Sequence, residues 1–179
     1  FSSNAVDDES HPFSISSGSD NSDIRIAAKV SGDYTEKLAN LQKGETVHVE
    51  GPYGHFSFTK IRSTRQVWVA GGIGVTPFLA MARSLPSGYQ VTLYYCVRTI
   101  SQAIFLEELK KLATEKPRFT VITVCDDQNQ KVTARSIVSK TAEDYLLCAP
   151  PAMMHDLKKQ LTSLGISKRN IHYEDFALT

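Results

Sequence analysis

The chain has 179 residues, 41% of them hydrophobic and 22% charged, which fits one large soluble domain or a pair of small ones. Twenty Lys and Arg against nineteen Asp and Glu leave a formal net charge of +1, and no basic block offers a footing for nucleic acid. No apolar run approaches the roughly 18 residues of a membrane-spanning helix, and no signal peptide is visible.

The sequence opens at Phe1 without an initiating methionine, and is expected to be a piece of a longer protein. Residues 1–23 are rich in Ser, Asp and Asn around one apolar island, "PFSI", and read as loop, short strand, loop. Alternation in "IRIAAKV" (24–30) and "ETVHVE" (45–50) predicts two half-buried strands, with a short helix near Tyr34–Leu41 between them. "GPYG" (51–54) has turn chemistry and leads into a predicted short strand, "HFSF". This part reads as a fragment of an antiparallel β-barrel.

From Arg65 the pattern changes. "QVWVA", "QVTLYYCV", "RFTVITVC", "EDYLLCA" and "NIHYEDF" predict five strands, separated by helical stretches. In the helix "SQAIFLEELKKLATE", Ile104, Leu106, Leu109 and Leu112 are expected to face the core. The helix "PAMMHDLKKQLTSLG" is expected to close at Gly165. Near-continuous apolar strands alternating with helices imply a five-stranded parallel sheet covered on both faces, with expected order 3-2-1-4-5. The change of pattern sets two domains, 1–62 and 63–179. Cys96, Cys125 and Cys148 each lie in or at the end of an apolar run, and their odd number predicts buried thiols, not disulfides.

"WVAGGIGVTPFLAM" (68–81) places three glycines after the first strand of this sheet. Gly71, Gly72 and Gly74 are expected to make the strand-to-helix turn and leave backbone N–H groups unobstructed, with Thr76 as N-cap and Pro77 at the first helical position. The helix dipole then favours an anion such as a pyrophosphate. The third glycine of G-x-G-x-x-G falls at Pro77, so the dinucleotide fingerprint is incomplete, and a plain structural turn is an equal reading of the loop alone. In the expected strand order, "CAPPAMM" (148–154) ends the fourth strand beside that loop, with Cys148 at the lip of the crevice where such sheets bind ligands.

"GPYG", "GGIGVTP" and C-x-P-x-x-M, in this order along the chain, resemble the ferredoxin–NADP reductase superfamily, and "HPFSISS" and "HYEDF" are similar to the branch of NADPH oxidases and membrane ferric reductases. The resemblance covers nearly the whole chain and implies a flavin-binding barrel followed by an NAD(P)H-binding domain. It assigns His11 and Pro12 to the FAD phosphate region, Phe13 to packing on the flavin, and Ser14 to a hydrogen bond near flavin N5. Gly32 and Thr35 cradle the FAD pyrophosphate on this reading, and Gly71–Thr76 and Pro77 the nicotinamide nucleotide's. Cys148 and Pro150 then lie by the nicotinamide, Phe176 stacks on the isoalloxazine, and Glu174 belongs to the polar surround. Ser14, Cys148 and Phe176 form the implied reaction centre.

Two departures stand out. Ala149 replaces the family's glycine after the cysteine, and only ten residues precede His11, too few for the first barrel strands. Weak FAD retention by this chain is therefore expected. Arg98 after the second strand favours NADPH, since a guanidinium forks onto a 2′-phosphate, while Asp126 and Asp127 after the third strand oppose it; NADPH is the expected hydride donor to FAD, with NADH possible. No histidine shows metal-ligand spacing, and no metal is expected.

The resulting expectation is a flavin-dependent NAD(P)H oxidoreductase at the cytoplasmic face of a membrane. It passes single electrons to haem in a transmembrane domain of the same parent chain, and on to oxygen or ferric iron. A soluble reductase serving an iron–sulfur protein, and a non-catalytic nucleotide-binding interaction module, are the alternatives.

Overall fold

The computed structural model describes residues 6, 10–19, 22–138 and 144–174. Its centre is a five-stranded, all-parallel sheet. The strands are β1 (Arg65–Gly71), β2 (Gln90–Val97), β3 (Phe119–Cys125), β4 (Asp144–Cys148) and β5 (Ile171–Tyr173), in the order β3-β2-β1-β4-β5. The expected order holds.

The period-two alternation of β1 explains how the sheet is covered. Trp68 and Ala70 point into a cluster with Phe78, Leu79, Leu93, Leu109 and Phe119, under helices α2 (Thr76–Arg83) and α3 (Leu106–Glu115). Val67 and Val69 point the other way, to Ile137, Leu147, Leu157 and Leu161, under α4 (Ala134–Ile137) and α5 (Pro151–Ser163). Each fully buried Leu or Val here contributes roughly 1.5–3 kcal/mol from burial. The central Trp68 stacks on Phe78 with ring centroids 5.4 Å apart. Its indole N–H donates to Gln66 Oε1 at 2.9 Å, so the one polar atom carried into the core is satisfied.

One detail of the helices differs from expectation and another agrees with it. Ile104 is 69% exposed, because residues 101–105 form turns and α3 begins only at Leu106, while Leu109 is fully buried as expected. At the end of α5, Gly165 takes φ +85, its N–H donates to the Thr162 carbonyl and the Ile166 N–H to that of Leu161, the paired closure predicted from the glycine.

In the amino-terminal part, helix α1 (Asp33–Leu38) is present, close to its expected place. The strands predicted at 24–30, 45–50 and 55–58 are not formed. Among the described residues before β1, one antiparallel bridge with both partners identified, Ile15 to Ile26, is found, and Phe58 lies in a single 3-10 turn. Alternation marks which side chains could share a face, but a strand also needs a neighbour for its N–H and C=O groups. Ile24, Val30, Val47 and Val49 stay exposed.

Cys125 and Cys148 are buried and Cys96 is half-buried. Burial, with Asp126 nearby, pushes the Cys96 thiol up to about 12, so it is inert near neutral pH.

Candidate functional site

β1 and β4 are neighbours in the sheet, and Ala70 pairs with Cys148 in register. The glycine turn after β1 and the Pro-Pro turn after β4 therefore leave the same edge side by side. They touch closely. A Cβ on Gly71 would lie 2.7 Å from both Ala149 Cβ and Pro150 Cδ, and one on Gly74 would lie 2.1 Å from the Cys148 carbonyl oxygen. Gly71 and Gly74 thus serve the packing of one turn on the other. Gly72 alone is exposed, with φ +54 and open space where a side chain would start. Of the three, only Gly72 has open space on the side where a Cβ would stand.

The chain then makes a 3-10 turn (Gly72–Val75) before α2. Val75, not Thr76, is the N-cap; Thr76 is the first helical residue and Pro77 the second. Thr76 is buried, and its hydroxyl donates to the Ile73 carbonyl at 3.1 Å, because the 3-10 turn brings that carbonyl within reach. Pro150 is the N-cap of α5. The amino ends of α2 and α5 thus meet at one edge, next to the open face of Gly72, and their partial positive charges favour a diphosphate there. An exposed glycine beside helix amino ends is compatible with an anion at this edge.

Cys148 is fully buried, in the cluster with Trp68 and Phe78, and so lies beneath the lip at which it was expected. The Ala149 methyl is buried against Gly71 and does not project into the open face. The Glu174 N–H donates to the Leu147 carbonyl at 3.0 Å, which brings this carboxyl to the same edge, and burial pushes its pKa up. Phe176 lies outside the described residues.

At the next corner, the Asp127 N–H donates to the Arg98 carbonyl at 3.0 Å. Asp126 and Asp127 open a 3-10 turn here, and all three side chains are exposed. The residues that argued for and against NADPH therefore share one corner.

Two of the predicted flavin residues, His11 and Phe13, come together around Tyr34. His11 stacks on Tyr34 with centroids 3.6 Å apart, and Phe13 lies 6.3 Å from the same ring. Pro12 is exposed, and Ser14 is half-buried just before the Ile15 bridge. Aromatic faces beside a hydroxyl suit a flat flavin ring. Thr35 is already engaged: its hydroxyl accepts from the Ser31 N–H at 2.7 Å and donates to the Gly32 carbonyl at 2.9 Å.

Three contributors escaped sequence reasoning. Tyr34, inside "GDYT", joins His11 to Phe13, and its aromatic character in a polar turn was the available signal. Arg83 at the end of α2 donates to the Ser16 carbonyl and pairs with Glu108 at 2.7 Å. Ser84 Oγ accepts from the Ser19 N–H at 2.8 Å. No local pattern announces either contact, since about 65 residues separate the partners.

The family model described as an oxidoreductase NAD-binding domain matches residues 68–159, and that of an FAD-binding domain matches residues 4–57. A component of the Na(+)-translocating NADH-quinone reductase from Pseudomonas aeruginosa is 30% identical over 165 residues, covering 81% of this chain and 40% of that protein. NADH-cytochrome b5 reductase 1 from Debaryomyces hansenii is 30% identical over 163 residues, covering 82% of this chain and 57% of that protein. The chain thus spans about half the length of these relatives. The FAD/NAD-binding domain of nitric oxide dioxygenase from Vibrio cholerae shares the fold, with a TM-score of 0.78 at 23% identity, covering 92% of this chain and 76% of that one. Among the described residues, no helix is long and apolar enough to cross a membrane.

Proposed function

The chain belongs to the ferredoxin–NADP reductase superfamily as a FAD- and NAD-binding reductase domain, and from that premise we propose that it positions NADH for hydride transfer to FAD, whose electrons then leave singly to a haem acceptor. The observation that carries this reading is the meeting of the glycine turn and the β4 turn at one sheet edge, Ala70 paired with Cys148.

Flavin supplies the step between two-electron and one-electron chemistry. The protein's part is to bind, orient and keep water out. Gly72 and the amino ends of α2 and α5 hold the dinucleotide's diphosphate. Cys148 and Pro150 form the base of the nicotinamide pocket, Phe176 covers the isoalloxazine, and Glu174 completes the polar rim. His11, Pro12, Phe13, Ser14, Gly32 and Thr35 hold FAD, within a flavin module of residues 1–62 joined to a nucleotide domain of 63–179.

NADH takes precedence over NADPH on this reading. Asp126 and Asp127 share a corner with Arg98, and on this reading the two carboxylates repel a 2′-phosphate more than the single guanidinium attracts it. The haem acceptor draws support from the relative named as a cytochrome b5 reductase. A haem domain in the same parent protein at the cytoplasmic face of a membrane, with oxygen or ferric iron as final acceptor, follows the resemblance of "HPFSISS" and "HYEDF". A second reading, nucleotide binding without turnover, is favoured by the complete burial of Cys148.

One experiment separates the readings. With FAD added anaerobically, NADH is expected to bleach the flavin's visible absorbance, and more efficiently than NADPH. D126N/D127N is expected to raise kcat/KM for NADPH about tenfold while leaving that for NADH within about twofold. Saturable NADH binding without bleaching establishes the binding module instead. Absence of NADH binding overturns both.

A further inference from the structure

At the amino edge of the sheet, opposite the nucleotide turn, a cleft of about 480 Å³ opens between the starts of β1, β2 and β3. Its walls carry Arg62 and Arg65 from one side and Arg118 from the other, with Ser63, Thr64, Gly88 and Gln90 between them, and among the described residues no carboxylate or apolar side chain lines it. The three strand starts are locked together: the Gln90 N–H donates to the Thr64 carbonyl at 2.8 Å and the Val91 N–H to the Arg118 carbonyl at 2.9 Å. With strands about 4.8 Å apart, the backbone positions of Arg65 and Arg118 lie about 10 Å from each other.

The floor is rigid. Ser63 Oγ donates to the Arg65 carbonyl at 3.1 Å and accepts from its N–H at 3.1 Å. From beneath, the Gln66 side chain, 2% exposed, donates to the Ser63 carbonyl at 2.7 Å. Gly88 leaves open space where a side chain would begin. The cleft is therefore a preformed concavity within the usual range of small-molecule sites, roughly 300–1,000 Å³.

The charge is also local. Segments 60–65 and 116–118 hold five of the chain's twenty Lys and Arg residues and no carboxylate, in a protein whose net charge is +1. Lys116 is held to the Leu85 carbonyl at 2.8 Å, and the carboxyl of Asp144, at the start of β4, is committed to His172 at 2.7 Å. Arg62 and Arg118 line one concavity from two sides, and a multivalent anion can accept the forked N–H pairs of such guanidiniums.

We propose that this cleft is a second anion site, for a small molecule bearing two or more linked phosphates. It is separate from the nucleotide turn, since the seven residues of β1 put about 20 Å between the two edges. An occupant would tie the Arg62–Thr64 segment, which leads into β1, to the starts of β2 and β3, and so act on the joint between the two halves of the chain.

The test is calorimetric titration of the 179-residue chain with tripolyphosphate, in the presence of saturating NADH so that the nucleotide turn is blocked. One saturable site is expected. Arg62→Gln and Arg118→Gln are each expected to weaken it about tenfold, the loss of one charge-assisted bond, and fourfold more salt is expected to weaken it severalfold. NADH affinity, measured separately, should be the same in both variants, so failure of the nucleotide reading is distinguishable from failure of this one. If Arg118→Gln lowers the thermal midpoint, Arg62→Gln, lying outside every strand, carries the test. No saturable binding under NADH, or binding indifferent to both arginines, overturns the proposal. So does arginine-dependent binding of polyglutamate without binding of tripolyphosphate, which assigns the cleft to an acidic protein surface.

Discussion

A methyl group on Gly74 would stand 2.1 Å from the Cys148 carbonyl oxygen, whereas one on Gly72 would meet nothing within 4 Å. The obstacle at Gly74 is backbone of a buried strand, which cannot rotate away. Gly74→Ala is expected to destabilise by about 3 kcal/mol through overpacking. At Gly72 the cost is conformational only, about 1 kcal/mol for a non-glycine residue in the left-handed region. Urea unfolding measures both. The second residue carries a further expectation: since Gly72 is the open position of the turn, Gly72→Ala should weaken NADH binding in a protein that still folds. Similar stability losses at the two glycines would mean that the turn does not rest on β4 as described.

At the scale of elements, α2 joins the two parts of the chain. Its amino end follows the glycine turn, and about 12 Å away its carboxyl end grips the segment after Ser14 through Arg83 and Ser84. The Arg83 side chain is 15% exposed and its partner Glu108 40%, so this ion pair is sheltered on one side only. Arg83→Ala is expected to cost about 1–2 kcal/mol. Its specific signature is faster hydrogen exchange at Ser16, whose N–H donates to the Arg25 carbonyl, with exchange in β1 and β4 unchanged. Uniform acceleration across the sheet would show a general loss of stability, not a local tether. The sequence made β1 to β5 legible because a buried parallel strand is written in its own few residues, as in "QVWVA", while their order followed from the expected doubly wound fold. Pairing partners are not written so. Alternation at 24–30 and 45–50 was real, yet it could not supply a neighbouring strand, and Thr76 lost its capping place to a 3-10 turn invisible in side-chain pattern. Gly71 and Gly74 were found for their softness but chosen for contact with residues 148–150. The Arg83 tether and the arginine cleft draw on segments dozens of residues apart, beyond the reach of any local motif.

The whole molecule is unevenly built. Both buried apolar clusters draw their members from Phe56 onward, and among the described residues before it none belongs to either. Residues 22–50 hold a six-residue helix and one side of a single identified bridge, with Ile24 62% and Val30 59% exposed. Apolar side chains left in water give no burial free energy against the roughly 1–2 kcal/mol of entropy that fixing each residue costs. Amides of residues 22–50 are therefore expected to exchange within seconds, while those of β1, β2 and β4 exchange only on global opening. The same imbalance bears on the flavin: the FAD-binding match spans residues 4–57, nearly all of it in this thinly supported part. FAD bound there must be held by residues whose own order it has to supply, so the chain is expected to lose added FAD on gel filtration. NADH, by contrast, meets a preformed edge and is expected to raise the thermal midpoint of the sheet by mass action. A chain that stays stoichiometrically yellow through filtration, or whose amino-terminal amides are protected as strongly as β1, would show that the two parts share one cooperative unit.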